Sequence, residues 1–160
     1  MVYTIGILTL DGFPLMSYAS VVEPLRAANL LSQKTLYEVI DITPTRDGVR
    51  SSSGVLITGK RTIADNLKYD ILFVIAGGDP FLIDNKKLFG WLNRLTKFGT
   101  IIGGISGGPV ILTKAGIMGD RRMTVHWEHA EGLLELDHKV ILEPSLYVFD
   151  RDRMTCAGGT

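Results

Sequence analysis

The sequence predicts an α/β domain: a three-layer sandwich with a mostly parallel central sheet and helices on both faces. Three observations predict it. Residues 2–10, 37–43, 69–76 and 101–105 form short apolar, β-branched runs. The central runs show no polar alternation, as expected of strands buried on both sides. Stretches with helical apolar spacing separate several of them, and that alternation belongs to a parallel sheet wrapped by helices.

The elements follow in order. Residues 2–10 form the first strand, and Asp11-Gly12-Phe13-Pro14 is turn chemistry. Leu15, Tyr18, Val22, Leu25 and Ala28 recur at helical spacing over residues 15–31, with Pro24 expected to kink or divide the helix. Residues 37–43 are a second strand, 45–53 a polar stretch, and 54–58 a short strand or hairpin arm. Residues 62–67 read as a helical turn with Thr62 as its cap. The run 69–76 is a third strand and ends in a tight Gly77-Gly78-Asp79-Pro80 loop. Residues 87–98 form an amphipathic helix that buries Leu88, Trp91, Leu92 and Leu95. A turn with basic residues at 116–122, an extended piece at 123–127 and a helix at 128–136 come after the next strand. Short strands at 140–142 and 147–149 and a last strand from Arg153 into a glycine turn close the chain.

Length and composition bound the rest. The chain has 160 residues, 46% of them hydrophobic and 21% charged, which suits one compact domain with a real core. Seventeen basic and 17 acidic residues cancel, which argues against a large nucleic-acid or acidic-membrane surface on this chain. Cys156 is the only cysteine, so no internal disulfide exists and a reducing, cytoplasmic setting is expected. No apolar run is long enough to span a bilayer, and no secretory leader is expected at the N-terminus.

The chemistry concentrates at residues 100–116. Gly104-Ile105-Ser106-Gly107-Gly108 fits G-x-S-x-G, a strand entering a strained turn and then a helix. The flanking residues are small because nothing can crowd that turn. Ser106 reads as a ligand contact, a helix cap or a nucleophile. A nucleophile needs a base within about 3 Å, itself oriented by a third group. His126 is the candidate base, and a packed structural histidine is the plainer alternative. His129 and His138 are expected on the surface. Glu128 could orient the His126 imidazole, although a carboxylate in a helix's first turn accounts for it more simply. Gly77 and Gly78 could turn backbone N–H groups toward Ser106, and Gly107 begins the helix that would favour a polar ligand. Asp79 is best read as a cap. In parallel sheets, sites lie at the carboxyl ends of strands. The loops at residues 11–14, 77–80 and 106–109 and the segment around His126 are therefore expected to meet. No metal-binding spacing and no cofactor or nucleotide motif is present.

The order of the A-G-G-D loop, the G-I-S-G-G-P elbow, A-G-I-M-G-D-R-R-M-T-V-H-W and C-A-G-G-T resembles the ThiJ/PfpI superfamily. Its fold is flavodoxin-like, of the class I glutamine amidotransferase type. Together with V-V-E-P-L-R-A-A-N and Y-V-F-D-R-D-R-M-T-C-A-G-G-T, the pattern is similar to the N-terminal domain of AraC-type transcriptional regulators. The resemblance implies a cysteine at the elbow, where Ser106 stands, and an acidic residue in the first helix, where Ser17 stands. His126 matches the superfamily's histidine. Hydrolase, amidase and redox-sensor chemistry is therefore not expected to carry over unchanged, because a thiolate is far more nucleophilic than an unassisted hydroxyl.

The resemblance implies a cytoplasmic, homodimeric sensor domain that binds a small polar metabolite, its effector, at Gly77, Gly78, Ser106, Gly107 and His126. In regulators of this kind a helix-turn-helix domain follows the C-A-G-G-T segment, so the resemblance implies that DNA would be contacted only by such a domain. Residues 156–160 look like the entry to a further helix. The alternatives are a hydrolase using Ser106 and His126, and a dimerisation module with an empty pocket.

Overall fold

The computed structural model describes residues 1–158. Eleven strands are formed in chain order: β1 (Tyr3–Thr9), β2 (Tyr37–Thr43), β3 (Val49–Arg50), β4 (Leu56–Ile57), β5 (Arg61–Thr62), β6 (Ile71–Ala76), β7 (Ile101–Ser106), β8 (Arg122–Met123), β9 (Ile141–Leu142), β10 (Tyr147–Asp150) and β11 (Arg153–Cys156). The α-helices are α1 (Leu15–Ser32), α2 (Lys86–Lys97), α3 (Gly108–Lys114) and α4 (Ala130–Leu136). Seven strands make the central sheet in the order β10-β11-β7-β6-β1-β2-β5. Every neighbouring pair in it is parallel except β10–β11, which is an antiparallel hairpin. The mostly parallel three-layer sandwich expected from the sequence is therefore the one formed.

Strand periodicity sorts the core into two halves. Leu8, Leu72, Val74 and Ile102 point to one face, where Leu88, Trp91, Leu92 and Leu95 of α2 and Val110, Ile111 and Leu112 of α3 pack on them. Ile5, Ile7, Ile75 and Ile105 point to the other, under Leu15, Tyr18, Val22 and Leu25 of α1. Leu88 and Leu92 are wholly buried, as the spacing in α2 requires. The Asn85 side chain caps that helix, accepting from the Leu88 N–H at 3.0 Å.

Two local expectations are corrected. Pro24 does not divide α1, which runs unbroken from Leu15 to Ser32. The proline removes one N–H, but Ser20 and Pro24 are both exposed, so water can satisfy the orphaned carbonyl. Residues 62–67 form only a single turn, closed by the Asp65 N–H donating to the Thr62 carbonyl at 3.1 Å, and no helix. Arg61–Thr62 instead extends the sheet beside Ile42 and Thr43. Thr62 still behaves like a cap: its Oγ1 accepts from the Ala64 N–H at 3.3 Å, and its own N–H donates to Asp65 Oδ2 at 2.8 Å. The strand pairing wins because the segment is too short to repay helix nucleation. The hairpin arm expected at residues 54–58 is β4, paired antiparallel with β3.

Candidate functional site

The four predicted loops do converge at the carboxyl ends of the strands. Gly77 lies against the loop after β1, where a β-carbon would collide with the Gly12 carbonyl oxygen and stand 2.9 Å from Pro14 Cδ. Gly107 lies against the loop after β6, where a β-carbon would stand 3.0 Å from Pro80 Cγ and 3.1 Å from the Ala76 oxygen. The His126 N–H donates to the Ser106 carbonyl at 3.3 Å. Small residues are therefore needed at 77 and 107 simply for these backbones to touch.

Ser106 ends β7 with φ at 60°, in the left-handed region. A non-glycine residue there stores strain, and such strain gathers at functional sites. α3 begins at Gly108, directly after it. This is the strand–turn–helix geometry that G-x-S-x-G demands. Ser106 is 5% exposed. The sequence reading missed the reason: Gly158, with φ at 68°, sits on top of it, and a β-carbon there would stand 2.9 Å from Ser106 Cβ.

The five candidate residues differ in what they can offer. Gly78, also at positive φ, has open space where a side chain would go. Gly107 donates its N–H to the Ala76 carbonyl at 2.9 Å, so it contributes close packing rather than a free donor. The His126 side chain is directed to Glu128. Its Nδ1 accepts from the Glu128 N–H at 3.4 Å and lies 3.6 Å from the Glu128 carboxylate. Glu128 lies in the first turn of a short 3-10 helix, Trp127–His129, the simpler of the two roles weighed for it. Asp79 caps as expected, accepting from the Phe81 N–H at 3.1 Å. Among the described residues no hydrogen bond joins the Ser106 hydroxyl to the His126 ring, whose Nδ1 faces Glu128 instead.

His129 corrects a further expectation, for it is buried at 8% exposure rather than lying on the surface. Its ring meets Phe81 edge-on at 6.0 Å and lies 5.8 Å from that of His126. Burial, reinforced by neighbouring His126, holds its pKa below the ordinary histidine value, against the opposing pull of Glu128 and Asp79. His138 is exposed.

Two cavities flank the elbow. The smaller, about 170 Å³, lies under α1 between Ser17, Ser20, Ile105, Cys156 and Gly158. The Ser17 hydroxyl is buried there with no hydrogen-bond partner among the described residues. The larger, about 600 Å³, is lined by His126, Trp127, Leu134, Leu142, Leu146 and Gly158 among others. Of the five candidate residues only His126 borders it. Among the described residues, no group of three or more His, Cys, Asp or Glu side chains is placed to hold a metal ion.

A mostly parallel sheet covered by helices on both faces, with a strained strand-to-helix turn at Ser106, defines a flavodoxin-like α/β domain. The family model of DJ-1/PfpI matches residues 4–160, and the chain belongs to the DJ-1/PfpI family. It is 40% identical over 159 residues to the HTH-type transcriptional regulator GlxA of Rhizobium meliloti (strain 1021), covering 99% of this chain and 49% of that protein. It is 35% identical over 153 residues to the HTH-type transcriptional regulator CdhR of Pseudomonas aeruginosa, covering 96% of this chain and 45% of that protein. A crystal structure of an AraC family transcriptional regulator from Pseudomonas putida superposes with a TM-score of 0.87 at 25% identity, covering 98% of this chain and 84% of that one. The chain thus spans about half the length of the curated relatives it matches. No helix among the described residues is long and apolar enough to cross a membrane.

Proposed function

We propose that this chain is the effector-sensing domain of an AraC-type transcriptional regulator. It binds a small metabolite through a polar group held at the elbow, without chemistry. Gly77, Gly78, Ser106 and His126 supply the contacts and Gly107 the close packing. The observation that carries the reading is the elbow itself: a strained, neutral hydroxyl with no base hydrogen-bonded to it. Ser17, Ser20 and Cys156 line the adjoining cavity beside Met16, Val21 and Ile105, so a few polar groups stand in a mostly apolar wall. The helix-turn-helix relatives supply the regulatory context, with DNA contacted by a separate domain following residue 160. The protein works in the cytoplasm as a homodimer whose geometry the ligand biases.

A thermal-shift screen with short carboxylates and carboxamides tests the binding role. Stabilisation by a ligand that is lost in both Gly78→Asn and His126→Ala supports it; stabilisation unchanged in both refutes the elbow as the site. A reading frame that continues past residue 160 without a helix-turn-helix segment would refute the regulatory role.

One observation favours a second reading, hydrolysis. The Glu128 carboxylate lies 3.6 Å from His126 Nδ1, a distance from which it would orient the imidazole in the tautomer that carries its proton on Nδ1. Rotation of the imidazole toward Ser106 would be needed to complete a triad, and covalent labelling of Ser106 by a fluorophosphonate would establish it.

A further inference from the structure

We propose that the large cavity beside His126 binds the apolar body of the ligand, which is a monocarboxylic acid or its amide with several carbons beyond the head. This rests on the sensing role above and adds the chemical class of the molecule sensed. At about 600 Å³ the cavity has the size of a small-molecule site. Val125, Leu134, Leu142, Pro144 and Leu146 form its walls, and the Trp127 indole stands at its rim. Trp127 is 77% and Leu146 61% exposed, so apolar surface facing water is there to be covered.

The polar side chains on the walls are few, Thr124, His126, Trp127, Glu143 and Ser145, and two of them are engaged elsewhere. The Thr124 hydroxyl donates to the Ser145 carbonyl at 2.6 Å. The Glu143 carboxylate, the only one among the described lining residues, pairs with Arg122 at 3.1 Å. No unmatched anion therefore waits for a cationic ligand. His126 differs. Its Nδ1 accepts from the Glu128 N–H, so in the neutral ring the proton sits on Nε2, which becomes a donor. A donor selects an acceptor oxygen, such as that of a carboxylate or a carboxamide.

Gly158 is a wall shared by this cavity and the smaller one under α1, and it covers Ser106. One molecule can therefore place its head beside His126, next to the elbow but not on its hydroxyl, and its chain between Leu134, Leu142 and Leu146.

Isothermal titration of the chain with acetate, butanoate, hexanoate and octanoate, and with hexanamide, tests this. Affinity should rise about fourfold per added methylene until the cavity is full, with hexanamide still bound. Leu146→Asp and Leu134→Lys change side chains that are 61% and 44% exposed, so both variants should fold, as a urea titration would verify. Both should flatten the chain-length dependence. Equal affinity for acetate and octanoate overturns the inference, as does a dependence that persists in both variants. The sensing role fails separately, by loss of metabolite response in an operator-reporter assay, and that result leaves the chain-length series untouched.

Discussion

His126 donates its backbone N–H to the Ser106 carbonyl, while its imidazole turns to Glu128. The two residues a hydrolase would couple through side chains are coupled here through the main chain. Fluorophosphonate should therefore leave Ser106 unlabelled at concentrations that saturate a serine hydrolase, and mass spectrometry of the treated protein reads the outcome. A stoichiometric adduct at Ser106 would replace the sensing account with a catalytic one.

Gly158→Ala should destabilise the fold by about 2 kcal/mol, because a β-carbon adds left-handed strain. It would also stand 2.9 Å from Ser106 Cβ. Urea denaturation measures the loss. The same substitution at Gly54, where a β-carbon meets nothing within 4 Å, separates the strain from the collision.

Asn29 ties α1 to β2. Its side-chain oxygen accepts from the N–H groups of Leu36 and Tyr37 at 2.8 and 3.0 Å, and its amide donates to the Tyr37 carbonyl at 2.7 Å. Asn29→Ala should cost about 2 kcal/mol by leaving part-buried backbone groups unpaired, again read by urea denaturation.

Stability should fall as pH drops from neutrality because of His129. Its folded pKa lies below the ordinary 6.5, so the unfolded chain takes up the proton first. Above 6.5 the group contributes no pH dependence. As pH falls below that value, stability is lost until the folded form also protonates. Melting temperatures of wild type and His129→Gln, taken from pH 7.5 to 5, should converge in slope only above the midpoint of the free imidazole.

Leu92→Ala removes a wholly buried side chain between α2 and the sheet. A loss of about 3 kcal/mol is expected, measured as a lower urea midpoint with an unchanged slope.

What was legible in the sequence was what local pattern controls. The apolar runs became β1, β2, β6 and β7, and the spacing of Leu88, Trp91, Leu92 and Leu95 became the buried face of α2. The small residues around Ser106 announced the elbow, because no other residues allow that turn. The misses came from contacts between distant segments. Glu128 and Glu131 flank His129 closely in sequence and suggest a wet face, yet a short 3-10 turn rolls its ring onto Phe81. Thr62 carries a cap signal, but Ile42 and Thr43 offered it a strand partner. Gly158 looked like turn chemistry, and only the parallel pairing of β11 with β7 brings it onto the elbow. The large cavity was invisible for the same reason, since its walls come from residues 124–134, 142–146 and 157–158.

The seat of Gly158 on Ser106 makes the elbow a mechanical gauge. Even a methyl group at 158 would stand 2.9 Å from Ser106 Cβ. α3 starts two residues past Ser106, and Ser17 and Ser20 of α1 share a cavity with Cys156 and Gly158, so a shift at that seat would be passed to helices on both faces of the sheet.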